Sequence, residues 1–171
     1  MKKLFNNTWL MLACMAMTAV FTACEPEPET IDEPEKALAF VCDGKAITEG
    51  STYTSSKLDE GYAEMGMTRF VPSINLVGDA DGKVVVTVKS LNETMVEICA
   101  FGGCQITLPH MEYTTSATGD ITANTPLPLD IHYTPTGEGA HRAEALITAY
   151  YEGYEEDAVS FTLVMTNAKV E

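Results

Sequence analysis

From Ala37 onward, apolar residues tend to recur at every second position, and this period of two is what most limits the folds open to the chain. Successive residues of a β-strand point to opposite faces, so alternation marks a strand with one buried face; an amphipathic helix would repeat every 3.6 residues instead. Residues 84–90, Val-Val-Val-Thr-Val-Lys-Ser, read as strand, and so do 127–133, 143–151 and 158–166. Between such runs stand turn signals: Asp43-Gly44, Asp81-Gly82, Gly102-Gly103 and the Thr-Gly-Glu-Gly of 136–139. No segment carries a sustained helical stripe bounded by caps.

About eight short strands at this spacing predict an all-β chain folded as a single antiparallel immunoglobulin-like β-sandwich. The expected domain runs over residues 37–171. The only tryptophan, Trp9, precedes it, so the buried tryptophan of antibody domains has no counterpart here.

The first 36 residues cannot join such a core. Lys2 and Lys3 precede an apolar run of thirteen residues, 9–21, that ends in Thr22-Ala23-Cys24. A basic head, a short apolar stretch and small residues at its end describe a secretory signal peptide over 1–23. The run is shorter than the roughly 20 residues a bilayer span needs. Phe21-Thr22-Ala23-Cys24 resembles the lipobox of bacterial lipoproteins, which implies acylation of Cys24 as the first residue of the mature chain. Met11-Leu12-Ala13-Cys14 is a competing match that leaves almost no apolar run before it. Residues 24–36, Cys-Glu-Pro-Glu-Pro-Glu-Thr-Ile-Asp-Glu-Pro-Glu-Lys, then form a disordered, acidic, proline-rich tether. Proline favours extended chain and like charges stiffen it, so the tether spans roughly 35 Å at about 3 Å per residue. An acidic run directly after the cysteine also resembles the surface-export signal of Bacteroidetes lipoproteins. That resemblance implies an outer-membrane anchor and display at the cell surface, with the periplasmic face as the alternative.

Removing the leader leaves 148 residues with eight basic against 25 acidic side chains, a net charge of −17. So acidic a surface excludes nucleic acid and anionic lipid surfaces as natural partners. The membrane is met through the lipid anchor instead.

Further along, residues 98–104, Ile-Cys-Ala-Phe-Gly-Gly-Cys, precede residues 131–139, Ile-His-Tyr-Thr-Pro-Thr-Gly-Glu-Gly, and a strand ending Ala149-Tyr150-Tyr151. This resembles a recurrent immunoglobulin-like domain of Bacteroidetes secreted and surface proteins, in which two nearby cysteines precede a Tyr-x-Pro-x-Gly-x-x-Gly turn. The likeness covers roughly residues 70–166 and implies fold and compartment but little about ligand. Three cysteines, Cys42, Cys99 and Cys104, remain beyond the anchor, and in an oxidising envelope two of them pair. A glycine turn between Cys99 and Cys104 suits a small disulfide loop and leaves Cys42 as a buried free thiol. The alternative joins Cys42 to one of the other two.

Other candidate chemistry is sparse. Residues 78–83, Gly-Asp-Ala-Asp-Gly-Lys, open like a calcium loop, but the twelfth position is Ser90 and no helices flank it. A hairpin turn between strands 73–77 and 84–89 accounts for the same residues. The loop after strand 143–151 carries Tyr151, Glu152, Tyr154, Glu155, Glu156 and Asp157. Tyrosine faces and carboxylates in one loop can bind a sugar or calcium, while a solvated hairpin tip explains the charges equally. His110, His132 and His141 lack metal-ligand spacing, and His132 in a strand and His141 in the glycine-rich turn are expected at surface or edge positions rather than as ligands. No nucleophile elbow, phosphate loop or catalytic cysteine setting is present, so neither an enzyme nor a cofactor is expected. The sequence therefore points to a surface lipoprotein whose domain is a non-catalytic binding or structural module for an envelope or extracellular protein. A carbohydrate-binding accessory of a glycan-uptake system is the first alternative, and a fimbrial subunit the second.

Overall fold

The alternation of the sequence becomes an alternation of burial. The computed structural model describes residues 37–108 and 114–168; the leader, Cys24, the tether and His110 lie outside the described residues. The elements in chain order are β1 (Leu38–Cys42), β2 (Lys45–Ala46), β3 (Thr52–Ser55), a short helix α1 (Glu60–Glu64), β4 (Ile74–Gly78) and β5 (Gly82–Ser90). They continue with β6 (Glu97–Ala100), β7 (Gly103–Ile106), β8 (Thr114–Ile121), β9 (Leu127–His132), β10 (Arg142–Tyr151), a 3-10 turn at Glu155–Asp157 and β11 (Val159–Thr166). Two sheets form, in the orders β2-β1-β4-β9-β6-β7 and β3-β11-β10-β5-β8. Their pairings are antiparallel except β3 with β11, which run parallel. This is an immunoglobulin-like β-sandwich.

Each sheet turns one row of apolar side chains inward. Val84, Val86 and Val88 of β5 are buried, as are Ala143, Ala145, Ile147 and Ala149 of β10 and Phe161, Leu163 and Met165 of β11. Leu76, Ile98 and Ile131 oppose them from the other sheet. Burying one such Val, Leu or Ile side chain contributes about 1.5–3 kcal/mol, so these rows hold the sheets together. Phe40 of β1 meets Phe161 of β11 across the layers with ring centroids 4.9 Å apart. Cys42, at the end of β1, is a buried free thiol.

The link between β4 and β5 corrects the hairpin expected there. The two strands lie in different sheets, so residues 79–81 are a crossover between layers. A period of two shows which residues face a core but not from which side, and both strands present an apolar row. Tyr151 holds this crossover. Its hydroxyl donates to the Ala80 carbonyl at 2.8 Å, and its ring lies against Gly78 and Gly82, where side chains would obstruct it. Asp79 and Asp81 accept backbone N–H groups of Ala37 at 2.8 Å and Ala123 at 2.7 Å. The calcium-like spelling of 78–83 thus serves close packing and backbone capping.

At one edge of the first sheet, β6 and β7 join through Phe101 and Gly102, both at positive φ (52° and 80°). Left-handed φ costs a non-glycine residue about 1–2 kcal/mol. Phe101 takes it because its ring packs directly over Gly119 of β8, where even a methyl group would not fit.

Between β3 and β4 the chain makes an excursion over the outer face of the first sheet. Leu58 bridges Phe70, and Phe70 bridges Tyr133 just beyond β9. Phe70 is fully buried and its ring stacks on Tyr133 at 5.9 Å. Asp59 starts α1, accepting the N–H groups of Gly61 at 2.9 Å and Tyr62 at 3.2 Å.

Candidate functional site

The loop singled out in the sequence is a hairpin tip between β10 and β11, but its residues do not converge. Tyr151 is 3% exposed and turned into the core, while Tyr150 occupies the outer face of the same strand. Tyr154 is half-buried against the core. Glu152 pairs with Lys83 at 3.7 Å, and Glu155, Glu156 and Asp157 project from the 3-10 turn as exposed carboxylates. The aromatic face that a sugar would need is therefore not offered by Tyr151.

Polar side chains gather instead on the outer face of the first sheet. Alternation along β9 sets Asp130 and His132 on that face, and alternation along β6 sets Glu97 and Cys99 there. The register pairs Glu97 with His132 and Cys99 with Asp130, while Cys99 also faces Cys104 across the β6–β7 hairpin. Cys99 and Cys104 form a disulfide with Cα atoms 4.0 Å apart.

His132 corrects the expectation of a surface or edge position, for it is only 4% exposed. It lies on an inner strand, and the 57–70 excursion lays Arg69 over it. The guanidinium carbon of Arg69 stands 4.7 Å from the Tyr62 ring centroid, a cation–π contact, and Nη2 lies 2.8 Å from His132 Nε2. Arg69 also faces Asp130 at 3.7 Å and Asp59 at 4.0 Å. Its Nε is buried with no protein partner among the described residues. His132 Nδ1 is 3.0 Å from Asp130 and Nε2 is 3.1 Å from Glu97. With its proton on Nδ1, the ring donates to Asp130 and accepts from Arg69. Doubly protonated, it would donate to both carboxylates.

Cys99, Asp130 and His132 each bring one ligand atom within 4.8 Å of the others. A metal ion has little purchase on these three, since the Cys99 sulfur is committed to the disulfide and Asp130 is already shared by Arg69 and His132. The arrangement stabilises the excursion and shapes what lies beside it.

Beside it runs a groove of about 500 Å³, between the 57–61 segment and the β4 and β9 strands. Leu58, Val71, Pro72 and Pro128 supply much of its apolar wall, and Asp59, Glu60 and Asp130 supply carboxylates. Lys57 at its margin faces Asp43 at 3.6 Å. Asp43 also accepts the Tyr53 hydroxyl at 2.6 Å and the Ser73 N–H at 3.1 Å. Burial alone would raise the Asp43 pKa, but the Tyr53 and Ser73 hydrogen bonds and the Lys57 charge outweigh it and hold the carboxyl below its ordinary range.

Arg69, Glu97, Asp130 and the groove were not singled out from sequence. The spacings Asp130-x-His132 and Glu97-x-Cys99 do announce a shared face on each strand. The pairing of β6 with β9, and the arrival of Arg69, join residues dozens of positions apart and leave no local signal.

No protein-family model matches the chain, and no curated protein matches it. Among solved structures, it is similar to the N-terminal domain of PorA, with a TM-score of 0.51 and 11% identity over 76% of this chain and 96% of that one. At that identity the likeness shows the fold alone. A second match, to the ASH / PapD-like domain 7 of human CEP192, has a TM-score of 0.34 and 12% identity over 93% of this chain and 100% of that one.

Proposed function

We propose that this chain is a lipid-anchored lipoprotein of the bacterial cell envelope, displayed at the surface, whose sandwich binds a protein partner without catalysis. The observation that carries the proposal is the order of segments: an apolar leader, Cys24, an acid–proline run, and then a sandwich whose first strand begins at Leu38. Two or more acyl chains on one cysteine anchor a protein stably where one chain would not. A tether of six acids and three prolines after Cys24 holds the domain clear of the lipid.

The fold supports a binding role, since a sandwich offers outer faces and end loops on a rigid frame. Metabolic labelling with an alkyne fatty acid, followed by mass spectrometry of the mature N-terminus, tests the anchor. Label should enter the wild-type chain and be lost in Cys24→Ser. Protease added to intact cells should remove the domain; a protected, unlabelled chain would refute the proposal.

A further inference from the structure

We infer that the groove between the 57–61 segment and strands β4 and β9 receives an extended, basic peptide segment of a partner protein. The inference rests on the binding-module proposal and names the chemistry of its partner. The groove has the size of a ligand site, about 500 Å³, and one wall is Leu58, a large apolar residue left 43% exposed. Pro72 and Pro128 face it as well, two residues without a backbone N–H to donate. An apolar side chain laid there gains burial without stripping water from a peptide donor.

Charge selects the occupant. Asp59, Glu60, Asp130 and Lys57 line the groove. Asp59 and Asp130 are shared with Arg69, so Glu60 is the carboxylate left for a ligand. The acids still outnumber the cations once Asp43 beside Lys57 is counted. Glu60 is exposed and has no ion-pair partner among the described residues. The nearby cations are already engaged: Lys57 faces Asp43, and Arg69 lies between Asp59, Asp130 and the Tyr62 ring. A second copy of a chain with net charge −17 would be repelled, and so would the chain's own tether, with six acids against Lys36. A segment presenting lysine or arginine between apolar residues fits both the wall and Glu60, in a groove whose net charge is negative.

The test uses the full lipidated protein in nonionic detergent micelles and a displayed library of random nonapeptides, with empty micelles as the background. Selected peptides should carry at least about twice the library's frequency of Lys and Arg. In fluorescence anisotropy, Glu60→Lys should weaken the labelled consensus peptide about 5- to 20-fold, as expected for turning an exposed attraction into a repulsion. Leu58→Ser, which removes the apolar wall without adding charge, should weaken it by a similar factor. Glu155→Lys, the same charge change on the β10–β11 hairpin, should leave affinity within twofold. Acidic or uncharged consensus peptides, no selected binder, or equal losses for Glu60→Lys and Glu155→Lys would each overturn the inference. Peptides indifferent to both variants would overturn it too, while leaving the binding-module proposal standing. Anchoring is decided separately by the fatty-acid label.

Discussion

Gly78 and Tyr151 make a test of how the crossover between the two layers is held. A methyl group on Gly78 would overlap the Tyr151 hydroxyl oxygen and lie 3.2 Å from both Tyr151 Cζ and Leu38 Cδ2. Gly78 is not at positive φ, so alanine meets no backbone penalty and the cost is steric. To clear the methyl, the hydroxyl must leave its 2.8 Å bond to the Ala80 carbonyl. Losing that bond costs about 1 kcal/mol and crowding a packed site about 1–3 kcal/mol, so Gly78→Ala should lose about 2–4 kcal/mol. Tyr151→Phe should cost about 1 kcal/mol, because the ring stays and the hydroxyl's bond to the Ala80 carbonyl goes, with the longer contact from the Ala80 N–H at 3.4 Å. In the phenylalanine background the obstructing oxygen is absent, and Gly78→Ala should then cost no more than about 1 kcal/mol, partly offset by the reduced freedom of the unfolded chain. The double variant should therefore be more stable than the summed singles by at least about 1 kcal/mol. Urea unfolding of the chain from Glu25, followed by far-ultraviolet circular dichroism, measures this, since the only tryptophan, Trp9, precedes that chain. Additivity within about 0.5 kcal/mol would refute the proposed contact.

Three further outcomes are expected. Replacing both Cys99 and Cys104 with serine should lower unfolding free energy by only about 2 kcal/mol, because a disulfide between residues five apart closes a small loop; a loss of cooperative unfolding would contradict this. Arg69→Lys should be almost as destabilising as Arg69→Met, about 2–4 kcal/mol in urea melts, because lysine has no planar guanidinium to share between Tyr62, His132 and the carboxylates. Full rescue by lysine would show that charge alone matters. Burial, and secondarily the Asp43 charge, pushes the Cys42 thiol from an ordinary value of 9.0 up to about 12. Because the folded value is the higher one, its contribution to stability is complete below about pH 9 and is lost as pH rises towards 12. Unfolding titrations should show Cys42→Ala losing less stability than wild type across that window. An aromatic disulfide reagent at pH 8 should label Cys42 only after denaturation.

The strands were legible because burial on one face writes itself into every second residue. Val84, Val86 and Val88 announce β5 without any knowledge of its partners. What alternation omits is the layer to which a strand belongs. The 78–83 stretch carries every local mark of a hairpin, and only the pairing of β4 with β1 and β9, and of β5 with β10 and β8, shows that it crosses between sheets. Tyr151 reads from sequence as part of a candidate ligand loop and not as the anchor of that crossing, since its partner Ala80 lies 71 positions away.

His132 marks a deeper limit, and it bears on where a ligand can sit. On a half-buried strand, polar residues at alternate positions are expected to face water, and Asp130 and His132 satisfy that pattern. Yet His132 is buried, because a loop from elsewhere in the chain lands Arg69 on it. An outer face so covered is no longer a flat solvated sheet. The excursion supplies one wall, β4 and β9 supply the other, and Glu60 lines the gap beside Asp59 and Asp130, the two acids paired with Arg69. The groove therefore follows from the mismatch between a strand pattern that predicts a wet face and a loop that partly roofs it. Removing the roof's cation with Arg69→Met should disturb the groove as well as stability, coupling peptide affinity to a residue outside the groove's lining.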